Sequence, residues 1–103
     1  MSRTKDRNLE ARLVHALDHP LRRRILKWAL SGSEQFSPSE LSDKWSEPLS
    51  HVSYHIRVLK ELGVITLIAT KPVRGSTQHF YVLSRDADRP WVRTVLGLNG
   101  SSA

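Results

Sequence analysis

A polar stripe near the middle of the chain carries side chains suited to binding a nucleic acid. His51, Tyr54 and Arg57 follow one another at intervals of three, with Ser53 among them, so on a helix they would lie on the side opposite its apolar residues. Each can donate or accept hydrogen bonds, and the only acidic residue of the segment, Glu61, comes in its last turn. Such a face could contact base edges in the major groove of DNA. The alternative is an ordinary solvated face, although solvated faces commonly mix glutamate with lysine.

A second basic element follows some residues later. Lys71 and Arg74 lie on either side of Pro72, and Gly75 follows them. Proline and glycine are typical of turns, so we predict a loop over residues 71–77. Beside a groove-binding helix, a basic loop can reach phosphates or the adjacent minor groove. An ordinary charged turn is the alternative for this segment taken alone.

Two histidines near the N-terminus could in principle bind a metal. His15 and His19 stand four residues apart, a spacing that can place two imidazoles on one helix face. Pro20 ends the helix there, because proline disfavours helical geometry in the preceding residue. We therefore expect surface or interface histidines, with no metal and no cofactor.

An enzyme is the least favoured class. The sequence has no nucleophile elbow, no phosphate-binding glycine loop and no convincing acid–base pair. Glu40, Asp43 and Glu47 are close in sequence, but they fit helix capping and solvation better than catalysis. A protein–protein interaction module of the same fold, in which the basic charge would be incidental, stays open as the main alternative to DNA binding.

The length, composition and net charge of the chain limit the number of domains and the kind of partner. The chain has 103 residues, of which 39% are hydrophobic, so it forms one domain whose small core favours association with a second copy. The net charge of +6 suggests a polyanionic partner such as double-stranded DNA. There is no cysteine, no apolar run of membrane-spanning length and no secretion signal, so we expect a cytoplasmic protein without a membrane partner.

Four helices are predicted to position these residues. Apolar spacing indicates a helix from Leu9, and Pro20 begins a second helix that runs to Leu30. Ser37-Pro38-Ser39-Glu40 forms a capping box for a third helix ending near Trp45. Ser50 is the expected cap of the fourth, which reaches Leu62, with Gly63 closing it in a left-handed conformation. Arg22, Arg23 and Arg24 point in three directions and cannot share one partner.

A hairpin and a last helix complete the predicted fold. Strands are expected over 64–70 and 78–83, on either side of the basic loop, and a short helix over 90–98. The fold class is therefore mainly α with a small β-hairpin, a winged helix-turn-helix of four to five helices and a two-stranded wing. The domain spans residues 9–98, between a flexible basic N-terminus at 1–8 and a flexible C-terminus at 99–103.

Three segments resemble the ArsR-type winged helix-turn-helix repressors. Residues 16–26, ALDHPLRRRIL, are similar to the family's AL-x-x-P-x-R-x-x-IL segment, and residues 37–41, SPSEL, to its s-x-x-EL helix start. Residues 52–65, VSYHIRVLKELGVI, are similar to VS-x-HL-x-x-L-x-x-x-G-(L/V)-(V/I). Gly75 and residues 80–83, FYVL, fit the family's wing. The resemblance covers roughly residues 12–83.

The resemblance implies a homodimer that binds a two-fold-symmetric operator, with one recognition helix in each half-site. By this analogy the DNA-facing residues would be Ser50, His51, Ser53, Tyr54 and Arg57, with Arg74 from the wing. The first and last helices would form the dimer interface through Leu9, Leu13, Trp91 and Val95. His55 matches a family histidine that is more often packed than base-reading. The absence of cysteine rules out thiolate metal sensing, and the sequence leaves open whether a small molecule or a metal acts as an effector.

Overall fold

The computed structural model describes residues 2–32 and 35–98 of the chain. This part contains five α-helices, none of which is long and apolar enough to span a membrane. The helices are α1 (Ser2–Ala16), α2 (Pro20–Leu30), α3 (Pro38–Trp45), α4 (Leu49–Glu61) and α5 (Pro90–Val95). Between α4 and α5 lie the antiparallel strands β1 (Ile65–Val73) and β2 (Ser76–Leu83) and a 3-10 turn (Arg85–Ala87).

Helix α1 begins at Ser2, whereas the apolar spacing predicted a helix from Leu9 only. The helix therefore begins seven residues earlier than the apolar spacing indicated. Apolar periodicity marks only the part of a helix that packs, and once a helix has nucleated its hydrogen bonds can propagate beyond that part. The packed part is where the sequence placed it, because Leu9, Leu13 and Ala16 are all buried.

Helix α2 has the predicted bounds, and its start shows why proline stands there. Pro20 occupies the first helical position, where no backbone N–H is needed. His19, in an extended conformation, is the N-cap, and its Nδ1 accepts a hydrogen bond of 3.0 Å from the N–H of Leu21. The imidazole thus takes the place that serine or aspartate usually fills.

The capping box of α3 is confirmed. The N–H of Glu40 donates to Ser37 Oγ at 3.2 Å, and Glu40 Oε1 accepts from the Ser37 N–H at 3.4 Å. The helix ends at Trp45 as predicted, and Ser46 then adopts a left-handed conformation with φ 53°. This residue reverses the chain between the two helices of the helix-turn-helix.

Helices α2 and α3 are clamped together by aromatic rings. Trp28 and Trp45 meet edge to face with ring centroids 6.2 Å apart. The Arg24 guanidinium lies 4.5 Å from the Trp45 ring, and the Lys44 ammonium lies 4.9 Å from the Trp28 ring. Each cation therefore covers the ring contributed by the other helix, and such contacts are favourable.

Helix α4 begins at Leu49, and Pro48 rather than Ser50 is its N-cap. The Pro48 carbonyl accepts hydrogen bonds from the N–H groups of His51 and Val52 at 3.0 and 3.2 Å. Because Pro48 supplies the extended backbone that a cap requires, with φ −55° and ψ 133°, no capping side chain is used. Ser50 instead lies exposed in the first turn.

The end of α4 is as predicted. Gly63 has φ 77°, a conformation that glycine adopts without penalty. Arg12 of α1 donates through Nη1 to the Leu62 carbonyl at 2.7 Å. A Cβ on Gly63 would lie 2.7 Å from the same nitrogen. The side chain of Arg12 therefore fills the space that the missing Cβ leaves and ties α1 to the end of α4.

The wing, defined here as β1, β2 and their turn, is longer than predicted. Lys71 and Pro72 lie within β1, so the predicted loop over 71–77 is corrected to a two-residue turn at Arg74 and Gly75. Both turn residues have positive φ, 50° and 84°, as tight hairpin turns of type I′ require. Cross-strand pairing thus overrides the turn-forming composition. A bulge interrupts the register between Leu67 and Ala69.

The C-terminal part returns to the body of the domain. Helix α5 ends at Val95, earlier than the predicted Leu98. Arg93 donates to both carboxylate oxygens of Asp88, at 2.8 and 3.1 Å, and this hydrogen bonding lowers the pKa of that carboxyl. The predicted flexible end at 99–103 lies outside the described residues.

The core lies between the helices and the base of the wing. Its fully buried large side chains come from every element except the 3-10 turn and β2; they are Leu13, Ile25, Leu26, Phe36, Leu41, Val52, Ile56, Leu59, Val64, Ile65 and Val92. The architecture is a winged helix-turn-helix, mainly α with a two-stranded hairpin, and confirms the predicted fold class.

Candidate nucleic-acid interface

One side of α4 is open to solvent and free of acidic side chains over most of its length. Ser50, His51, Tyr54 and Arg57 are exposed, with Tyr54 52% accessible, and Ser53 is half-buried. These five residues are called the recognition face below. The structure therefore brings together on one surface all the residues that the sequence selected on this helix.

The opposite side of α4 holds the helix in the core. Val52, Ile56 and Leu59 are at most 1% exposed, so their spacing of four and three residues forms one buried stripe. Burial of a side chain of this size contributes roughly 1.5–3 kcal/mol. The direction of α4, and with it that of the recognition face, is thus fixed by the same contacts that fold the domain.

Two residues of the recognition face touch each other. The Arg57 guanidinium lies 5.9 Å from the centroid of the Tyr54 ring, one helical turn away. A cation–π contact at an exposed site is worth about 0.5–1 kcal/mol, so it weakly favours this orientation of the guanidinium. A guanidinium is suited to bidentate hydrogen bonding with the O6 and N7 atoms of guanine.

His55 lies on the edge of α4 between the buried stripe and the recognition face, and it is packed as the resemblance implied. It is 9% exposed, and its Nδ1 is 3.2 Å from Nη1 of the buried Arg22. Because a guanidinium can only donate, Nδ1 must be the acceptor, and the imidazole is neutral in this arrangement. Arg22 also donates to the carbonyls of His15 and Ala16 at 3.0 and 3.2 Å. It therefore joins the end of α1 to α4.

The surroundings of His55 favour its neutral form. Its ring centroid is 4.0 Å from that of His19. Burial is the main cause that lowers the pKa of His55, followed by the charges of His19, Arg22 and His51. An open pocket of about 450 Å³ lies beside this group, lined by His19, Pro20, Leu21, Arg24, Glu47, His51 and His55.

The histidine pair considered for a metal does not share a helix face. Helix α1 ends at Ala16, so His15 is helical and His19 lies beyond the end. His19 Nδ1 is already used by the cap of α2. Among the residues that the structure describes, no group of three His, Cys, Asp or Glu side chains is arranged to hold a metal ion.

The three arginines of α2 do not share a single partner. Arg22 binds the carbonyls at the end of α1, Arg23 donates through Nη1 to the Leu17 carbonyl at 2.7 Å, and Arg24 covers the Trp45 ring. The three side chains have different partners, and the first two close the C-terminus of α1, where cations and donors are favourable.

The wing carries its two predicted basic residues beside the recognition face. Lys71 and Arg74 are both exposed, Arg74 at the tip and Lys71 on β1 opposite Gln78. An open groove of about 510 Å³ separates the wing from the starts of α3 and α4, and its lining includes Ser39, Ser53 and Arg74. Residues from the recognition face and the wing tip therefore border one groove.

The roles of two residues near the site were not predicted from the sequence. Arg22 corresponds to the arginine of the AL-x-x-P-x-R segment, so the motif held a signal for it. Gln78 donates to Ser37 and Ser39, which are 41 and 39 residues away in the chain. A contact between residues so far apart in the sequence cannot be predicted from a local sequence pattern.

The predicted dimer residues divide into two groups. Leu9 and Leu13 are buried within the chain's own core, so they offer little surface to a partner. Val95 is exposed and Trp91 is half-buried, so they stay available. Val14 of α1, which was not predicted, is also exposed.

Comparison with known proteins places the chain in a family. Residues 17–68, about half of the chain, match the family model described as a helix-turn-helix domain, and the chain belongs to this family. Among solved structures, the chain is similar to HlyU from Vibrio cholerae N16961, with 24% identity and a TM-score of 0.63 over 91% of this chain and 90% of that chain. This likeness shows a shared fold. None of the curated proteins compared with the chain matches it.

Membership of the helix-turn-helix family supports a DNA-binding transcription regulator. The match covers α2, α3, α4 and the start of β1, which include the whole recognition face.

Proposed function

We propose that the chain is an ArsR-type repressor that binds double-stranded DNA as a homodimer, with α4 in the major groove and the wing on the backbone or minor groove. The recognition face carries this proposal. It combines exposed, non-acidic hydrogen-bonding groups on one side of α4 with complete burial of Val52, Ile56 and Leu59 on the other. A helix so held projects its polar side into solvent, as insertion into a groove about 12 Å wide requires.

The residues of the recognition face and the wing would contact different parts of the DNA according to their positions. His51 and Tyr54 lie toward the N-terminal half of α4, the part of a recognition helix that usually contacts base edges. Arg57, one turn further, can reach guanine or a phosphate. Arg74 at the wing tip would supply a contact that adds affinity with little sequence preference.

Dimerisation is supported by the resemblance and by exposed apolar residues on the terminal helices. Val14 of α1 and Val95 of α5 are both more than half exposed, and Trp91 is half-buried. A second copy covering these side chains would bury apolar surface that one small domain leaves open. Two copies related by a two-fold axis would then place two α4 helices in successive major grooves. Occupation of such a site would block RNA polymerase.

The proposal is tested by gel-shift titration with random duplex DNA at low and moderate salt, followed by selection of bound sequences from a random pool. We expect retardation that weakens steeply with salt, because each neutralised phosphate releases counterions. We also expect a selected motif with two-fold symmetry. Retardation at neither salt would overturn DNA binding and favour a protein-interaction module. An asymmetric single half-site, with a monomer in sedimentation of the complex, would overturn the dimer.

A further inference from the structure

The base of the wing is fixed to the body by backbone hydrogen bonds. Phe36 and Tyr81 form an isolated antiparallel bridge, with N–O distances of 3.0 and 2.8 Å in the two directions. Both residues are buried. Toward the tip, by contrast, β1 is exposed at every residue after Ile65. The bridge therefore holds one end of the wing only.

A second attachment lies further out, at Gln78. Its Nε2 donates to Ser37 Oγ and to Ser39 Oγ, both at 2.9 Å. A glutamine amide has two N–H donors, and here each has an acceptor on α3 or its cap. Gln78 is half-buried, whereas residues 71–77 are all exposed. Gln78 is thus the outermost wing residue with a side-chain hydrogen bond to the body among those described.

The acceptors of Gln78 do not move freely. Ser37 is fully buried, and its hydroxyl is also the capping acceptor for the N–H of Glu40. Ser39 lies in the first turn of the same helix. The first helix of the helix-turn-helix, which packs on α4, therefore sets where the Gln78 side chain must be.

The wing is attached to the body at its base and at Gln78, and two separate attachments fix its direction. With the attachment at the base alone, the tip of the wing could rotate relative to α4. Gln78 lies three residues from Tyr81, about 10 Å along an extended strand, and Arg74 lies four residues beyond Gln78, about 13 Å further. With Gln78 bound to α3, the tip has a fixed angle to the recognition face. Without that bond, the remaining described attachments of the wing, which are the bridge and the buried side chains of Ile65 and Tyr81, lie at its base, far from Arg74.

We propose that Gln78 is a positioning residue for DNA binding, which sets the angle between the wing and α4 so that Arg74 reaches the duplex that the recognition face contacts. The inference rests on the proposed function and adds to it a residue that touches no DNA itself. Gln78 acts through Arg74, so the two residues belong to one unit. Its loss should cost nothing once the Arg74 side chain is gone.

A double-mutant cycle tests this dependence. Gln78→Met removes both hydrogen bonds and keeps the size of the side chain. Gln35→Met, at the other glutamine of the sequence, which is exposed, is the matched control. We expect Arg74→Ala and Gln78→Met each to weaken binding to a selected duplex about three- to tenfold, and the double variant about as much as the stronger single one. Gln35→Met should leave affinity unchanged.

Two further measurements separate positioning from general damage. Ser39→Ala removes one acceptor and spares the cap, so it should weaken binding in the same direction by a smaller factor. In the double variant of Gln78→Met with Arg57→Ala, the fold-losses of DNA affinity should multiply, because Arg57 lies on α4 and does not depend on the wing.

The inference is overturned if Gln78→Met leaves affinity unchanged, or if its loss multiplies with that of Arg74→Ala while the wild-type chain binds normally. A wild-type chain that does not bind DNA at low salt would instead overturn the proposed function, and this inference with it.

Discussion

Helix α4 and the wing present similar polar and basic groups, but the fold holds them in different ways. The direction of α4 is fixed by a continuous stripe of buried apolar side chains and by the Arg12 contact at its end. The wing is held by a backbone bridge at its base and by the amide of Gln78. A change in the direction of α4 would expose buried apolar side chains, whereas the tip of the wing would need to lose only the two hydrogen bonds of Gln78 in order to move.

This difference matches the two tasks proposed for the elements. Direct base contacts require donors and acceptors within a few tenths of an ångström, so they belong on the element that the core fixes. Phosphates repeat along the duplex and tolerate small displacements, so a more weakly held hairpin suffices. Four pairs of identical residues test this difference. In each pair one residue lies on α4 or at its end and the other lies on the wing.

The isoleucines give the largest expected effect on stability. Ile56 on α4 is 1% exposed, and Ile68 on β1 is 49% exposed. We expect Ile56→Ala to lower the free energy of unfolding by about 2–5 kcal/mol, because it leaves a cavity in the core. Ile68→Ala should lower it by about 1 kcal/mol or less. Denaturant unfolding measures both, and equal losses would show that the wing is packed as firmly as α4.

The glycines come next. Gly63 at the end of α4 and Gly75 at the wing tip both have positive φ, but a Cβ would meet Arg12 only at Gly63. Gly75→Ala should cost about 1 kcal/mol from backbone strain alone. Gly63→Ala should cost more, about 2–3 kcal/mol, since Arg12 must also move. If thermal unfolding gave equal losses, the Arg12 contact would contribute nothing.

His55 should make the free energy of unfolding depend on pH. The folded chain holds the pKa of His55 below its ordinary value of 6.5, so the unfolded chain binds this proton more readily. The resulting stability is present above pH 6.5 and is lost as the pH falls toward the lower pKa of the folded state, with a slope of at most about 1.4 kcal/mol per pH unit. Protonation at Nδ1 would remove the Arg22 hydrogen bond. His19, His51, Arg24 and Glu47 face the same pocket.

A conservative variant isolates this contribution. His55→Gln keeps an acceptor for Arg22 and cannot titrate, so the free energy of unfolding should depend less on pH between 5 and 7 (roughly the range in which histidine titrates). His79→Gln, at an exposed wing histidine, should leave that dependence as it is in the wild type. An unchanged slope in His55→Gln would mean that the acid sensitivity arises elsewhere.

How far the sequence predicted the molecule depends on how local each signal is. The bounds of α2 and α3 were correct because proline and a capping box act within a few residues. The N-cap of α4 was predicted two residues late because a serine was chosen where Pro48 serves. The wing was predicted too short because pairing with the opposite strand holds Lys71 and Pro72 in β1.

The candidate site divides in the same way. The recognition face follows from helical periodicity, since a buried stripe determines which side is open. The contact of Arg22 with His55 joins residues 33 positions apart, and that of Gln78 with Ser37 joins residues 41 apart. Such contacts depend on how the elements pack, which periodicity does not specify. For the same reason, apolar spacing in α1 could not distinguish a core residue such as Leu13 from an exposed one such as Val14.

The arginines test the central claim most directly: the exposed side of α4 selects the DNA sequence and the wing does not. Sequences bound by the wild type, Arg57→Ala and Arg74→Ala should be selected from one random duplex pool, with affinities measured at one salt concentration. We predict that Arg57→Ala loses about 1–3 kcal/mol and the preference at one position of each half-site, whereas Arg74→Ala binds the wild-type motif more weakly. An unchanged motif with Arg57→Ala, or a motif altered only by Arg74→Ala, would contradict this account.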